Sequence, residues 1–75
     1  MIKAVIKYRL HSHYRVKRYL EENDITLYDS TPCFLENDNM KTTILLKNED
    51  YLYDVLADIN KICTFGVKLI KTKKV

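Results

Sequence analysis

The chain has 75 residues, with one Gly, one Pro, two Cys and a net charge of +3. That length holds one small core and no second one, and 47% hydrophobic residues exclude a disordered tail. No apolar run reaches the roughly 18–20 residues of a membrane span, and Lys3 and Lys7 interrupt the first apolar stretch too early for a signal peptide.

Two cysteines without an export signal predict reduced thiols and a cytoplasmic location. The charge is unevenly placed. Residues 1–18 carry six cations and no acid, 19–58 carry all ten acids and two lysines, and 59–75 carry five lysines. Two basic ends therefore flank an acidic middle.

Residues 2–10 alternate, with Ile2, Ala4, Ile6, Tyr8 and Leu10 on one face and Lys3, Val5, Lys7 and Arg9 on the other. Period two with one apolar face predicts a half-buried strand. Ser12 is a helix cap by residue type. Val16, Tyr19 and Leu20 then follow helical spacing, and Asn23-Asp24 ends that helix. Residues 25–30 predict a second strand. Residues 31–39 read as a loop, because Pro32 cannot donate to a ladder and Asn37-Asp38-Asn39 is turn chemistry.

A third strand is expected over 41–47. Asn48 caps the next helix, with Glu49 and Asp50 in its first turn. Leu52, Val55, Leu56, Ile59 and Ile62 give the most regular helical spacing of the chain. Thr64-Phe65-Gly66 breaks that helix, and 67–72 form a fourth strand. The order β-α-β-β-α-β predicts an α+β, ferredoxin-like domain over residues 1–75, an antiparallel four-stranded sheet with two helices on one face. Strand order 4-1-3-2 is expected, which places the two basic ends of the sequence side by side.

Two surfaces stand out. On the open face of the sheet, Val5, Leu45 and Ile70 form an apolar centre suited to self-association, with Lys3, Lys7, Arg9, Lys68 and Lys71 as its basic surround. The two central strands offer that face no aromatic platform for bases. At one end of the sheet three loops converge and gather His11, Ser12, His13, Thr31, Cys33, Phe34, Asn37, Asn39, Cys63 and Thr64. A helix N-terminus beside Arg15 is an expected anion site.

His11, His13, Cys33 and Cys63 include zinc-ligand types, but no CxxC or finger spacing supports a metal site. No glycine-rich phosphate loop and no GxSxG occurs, so neither catalysis nor a cofactor is expected. Acylphosphatases share the element order and cradle phosphate after the first strand, whereas residues 9–13 contain no glycine.

Asn23-Asp24-Ile25-Thr26, Cys33-Phe34-Leu35, Asn39, Thr42-Thr43-Ile44-Leu45 and Thr64-Phe65-Gly66-Val67, with residues 50–63 as the second helix, carry a family pattern. The chain resembles the PII-like small signalling domains, including cyclic-di-AMP receptors and the C-terminal domain of YitT-type membrane proteins. The resemblance implies trimers, with a nucleotide at the subunit junctions near Phe34, Leu35, Asn37 and Asn39. Pro32-Cys33 stands where the family has a glycine pair, and Thr26 where a basic residue is expected. ACT-type regulatory domains share the same element order.

The expected function is a non-catalytic regulatory or ligand-binding module that self-associates, as a dimer or trimer, through its sheet. Its ligand is expected to be a small anion or nucleotide at the loop end, touching Ser12, His13, Arg15, Thr31, Phe34, Leu35, Asn37 and Asn39. Nucleic-acid binding on the basic half-sheet is one alternative. A small inhibitor of a host protein, of the phage type, is another.

Overall fold

A computed structural model of the chain describes residues 1–33 and 38–75. Strand β1 (Ile2–Arg9) keeps the alternation, with Ile2, Ala4, Ile6 and Tyr8 buried and Lys3, Val5, Lys7 and Arg9 half-buried. A 3-10 turn (Leu10–Ser12) follows and leads into helix α1 (His13–Glu22). Ser12 does not cap this helix as its type suggests. Its backbone is already helical, at φ −90° and ψ −4°, and its side chain makes no capping hydrogen bond.

Asn23 Nδ2 donates to Tyr19 O at 2.9 Å, and Asp24 takes a left-handed φ of 54° as the chain reverses. Strand β2 (Thr26–Cys33) then runs three residues further than expected. Thr31, Pro32 and Cys33 belong to it, and Pro32 is tolerated because β2 is an edge strand. Phe34, Leu35 and Asn37 of the expected site lie outside the described residues. Strand β3 (Asn39–Leu46), helix α2 (Glu49–Ile62) and strand β4 (Lys68–Lys74) complete the chain.

Strand β1 pairs antiparallel with β3 and with β4, and β2 pairs antiparallel with β3. The sheet order is β2-β3-β1-β4, which counted from the other edge is the expected 4-1-3-2. Both helices lie on the same face. Val16 and Leu20 of α1 and Leu52, Val55 and Ile59 of α2 share one cluster with Ala4, Ile6, Tyr8, Met40, Ile44 and Leu46. Each large aliphatic side chain in that cluster contributes about 1.5–3 kcal/mol by burial. Tyr19 Oη also ties the helices together, donating to Asp58 Oδ2 at 2.7 Å.

Asn48 Oδ1 accepts from Tyr51 N at 2.8 Å and so caps α2 as its type predicts. Past the helix, Gly66 has φ +78°, and a Cβ there would lie 2.6 Å from Asn60 Oδ1. That oxygen accepts from Val67 N at 3.1 Å. Glycine therefore lets the chain turn tightly under Asn60 and enter β4. Among the described residues, no helix is long and apolar enough to cross a membrane.

Candidate functional site

The sheet face away from the helices is open, and its side chains are set by strand register. From β1 it takes Lys3, Val5, Lys7 and Arg9, and from β3 Asn39, Lys41, Thr43 and Leu45. The edge strands are less regular, because each carries a bulge. Leu27 pairs with Ile44 and Asp29 with Thr43, which leaves Tyr28 as the extra residue of β2. Ile6 pairs with Leu69 and Val5 with Lys71, which leaves Ile70 as the extra residue of β4.

Val5 and Thr43 are themselves partners, so both bulges lie in one row across the sheet. A bulge places two side chains opposite one partner and resets the alternation beyond it. On β4 this has a direct consequence. Lys68 pairs with Lys7, Lys71 with Val5 and Lys73 with Lys3, so all three lysines share the open face. Without the bulge, an unbroken alternation from Lys68 would send Lys71 and Lys73 toward the helices.

Seven cations therefore occupy this face: Lys3, Lys7, Arg9, Lys41, Lys68, Lys71 and Lys73. Asp29 is the one carboxylate on it among the described residues. Lys41, Lys7 and Lys68 form a straight row across β3, β1 and β4. Like charges directly opposite each other weaken strand pairing, and this row concentrates positive charge across three strands of the face.

The middle of the face is a groove of about 390 Å³ lined by Val5, Asp29, Thr31, Lys41, Thr43 and Ile70 among others. Tyr28, 61% exposed, stands on this face with Lys3 Nζ 4.1 Å from its ring centre. Phe65, 69% exposed, flanks the other end, with Arg9 Cζ 4.7 Å from its ring centre. The His11 and Phe65 rings lie nearly perpendicular, at 84°, with their centroids 6.1 Å apart. Sequence reasoning missed both rings. Tyr28 is turned onto the face by its bulge, and Phe65 sits in a loop where parity has no meaning.

The loop end assembles as expected, but its residues are divided. Leu10 N donates to Asp38 O at 2.7 Å, and His11 Nε2 lies 3.4 Å from Thr64 Oγ1, so the three loops do meet. Thr31 and Cys33 face the open side of the sheet, whereas Ser12 and His13 belong to the helix side. Ser12 is fully buried at 0% exposure and offers nothing to a ligand. Its Oγ has no well-formed hydrogen bond, although the Cys63 thiol lies beside it.

His13 is already engaged. Its Nδ1 lies 2.7 Å from Tyr8 Oη, which also contacts Thr42 Oγ1 at 2.7 Å, and Thr42 in turn meets Ser30 Oγ at 3.1 Å. This chain of hydroxyls satisfies polar groups at the end of the core. Burial pushes the Tyr8 phenol up to about 12 despite its bond to Thr42. Burial, then the charge of Lys17, holds His13 below the ordinary imidazole value. Arg15 is exposed on α1, and Asn39 is half-buried at the start of β3.

Both cysteines are free, Cys33 half-buried on β2 and Cys63 buried in the core. Burial raises the Cys63 thiol, against the pull of Ser12 and Arg15, which disfavours a thiolate ligand or nucleophile. Among the described residues, no three His, Cys, Asp or Glu side chains gather closely enough to hold a metal ion. The expected apolar centre is also narrower than supposed. Val5 and Ile70 share the central groove, while Leu45 pairs with Lys3 and lines a different hollow beside Thr26.

No family model matches the chain, and no curated protein matches it significantly.

Proposed function

We propose that this is a non-catalytic binding domain of ferredoxin-like topology whose open sheet face receives a polyanion, a nucleic acid. The observation that carries the reading is the lysine row Lys41–Lys7–Lys68 with Lys71 and Lys73 turned beside it. A regular array of cations across three strands matches the regular charge of a phosphate backbone. Deformable clusters of side chains would suit a compact anion better. The PII-like resemblance supports a binding role in general, but its ligand position falls on Phe34, Leu35 and Asn37.

The reading is tested by fluorescence anisotropy with labelled single-stranded and duplex RNA and DNA. Binding is expected at low salt and is expected to fall steeply as salt rises, because phosphate contacts release counterions. No change in anisotropy with any of the four probes at low salt overturns it.

Self-association is the second reading, favoured by the apolar floor that Val5 and Ile70 give the groove. A two-fold contact through this face would set like charge against like. A small anion between the copies would relieve that repulsion. Sedimentation velocity separates the readings, since a monomer at micromolar concentration removes the oligomer.

A further inference from the structure

Resting on the reading above, we infer that the occupant is single-stranded nucleic acid, with unpaired bases stacked on Tyr28 and Phe65. Each ring is exposed and each has its own cation, Lys3 for Tyr28 and Arg9 for Phe65. A ring beside a cation is the minimal receptor for one nucleotide. The cation lies over one face of each ring, so the base stacks on the opposite face and its phosphate meets the charge at the rim.

One receptor stands on one outer strand at the bulge row, and the other lies beyond the start of the opposite outer strand. Tyr28 belongs to edge strand β2 at the bulge row. Phe65 lies beyond Arg9, next to the start of β4 at the other edge. With strands about 4.8 Å apart and about 3.3 Å of rise per residue, the rings are about 20 Å from each other. A strand of about four nucleotides or more spans that distance. Its path crosses the face and passes Lys41, Lys7 and Lys68.

A duplex fits this arrangement poorly. Its bases are stacked and paired inside, so neither ring finds a base face unless base pairs open. Splayed bases are available only in single strands, loops and ends. The rings supply no hydrogen-bond readout, so stacking here is tolerant of sequence.

The test uses the intact chain with a labelled single strand of about twelve nucleotides and the matching duplex. Tyr28→Ala and Phe65→Ala are each expected to weaken single-strand binding about 5- to 100-fold, with the salt dependence unchanged. Tyr28→Phe, which keeps the ring, should bind within about twofold of the parent. Circular dichroism checks that the exposed substitutions leave the fold intact.

Single-strand affinity unchanged in both alanine variants overturns the stacking inference while leaving a basic binding face. Tighter binding of the duplex, of heparin or of anionic vesicles than of the single strand does the same. Loss of all binding by the parent protein at low salt removes the underlying reading as well.

Discussion

Neutralising the β4 lysines gives a quantitative measure of how the open face acts. Consider Lys68→Gln, Lys71→Gln and Lys73→Gln combined. All three lysines are exposed and pair with β1 residues of the open face, so their loss leaves the core untouched. Seven cations on the face set a ceiling of seven phosphate contacts. For single strands the logarithm of affinity falls with the logarithm of salt at about 0.7 per contact, a slope of about −5. Between about 50 and 200 mM salt, that slope means a loss of roughly 1000-fold. The triple variant keeps four cations, a slope of about −3 and a loss of roughly 50-fold. Anisotropy titrations at several salt concentrations read the slope directly. A control pair, Lys17→Gln and Lys61→Gln, removes exposed charge from the two helices and should leave the slope as it is. An unchanged slope in the triple variant, or an equal change in the control, refutes the placement of the polyanion on the sheet.

The remaining predictions concern the frame that carries this face. Tyr8→Phe removes two 2.7 Å hydrogen bonds and leaves the buried Thr42 hydroxyl with Ser30 alone. It should cost about 1–3 kcal/mol, read as a fall of several degrees in Tm, and a denaturation midpoint equal to the parent's would show that the hydroxyl chain is not holding the core. His13, held below its ordinary value, takes up a proton more readily unfolded than folded. Its contribution to stability is therefore complete above about pH 6.5 and is lost as pH falls through the lower folded value. Urea titrations at descending pH should show a smaller loss in His13→Asn than in the parent, and parallel losses would count against the assignment. Gly66→Ala forces a Cβ toward Asn60 Oδ1 at a positive φ, so Tm should drop and the amide of Val67 should exchange faster with solvent.

Much of the frame is legible in the residues themselves. The alternation from Ile2 to Tyr8 names the buried face of β1, and Asn48 with the apolar spacing behind it names α2. Parity failed at the edges, because a period-two reading assumes an unbroken phase. A clue was present in β4, where Lys68, Lys71 and Lys73 are spaced by three and then two, with Leu69 and Ile70 adjacent. That spacing keeps lysines on one face only if a residue is inserted between them. Nothing comparable marks Tyr28, since the polar run from Asp29 to Thr31 fits either face. Ser12 misled for a different reason. Residue type predicts a cap only where the backbone is extended, and the preceding 3-10 turn had already made it helical.

The paired bulges also bear on how the margins of the sheet can meet another chain. A sheet normally exposes regular rows of N–H and C=O groups along its two outer strands, and another chain can extend it there. Here both outer strands are kinked at the same level, opposite Thr43 and Val5. One of them carries Pro32 and the other four lysines. Neither margin offers a straight template for sheet extension, so fibril-like stacking is blocked on both sides. What remains for contact is the broad open surface, with its seven cations, rather than the margins of the sheet.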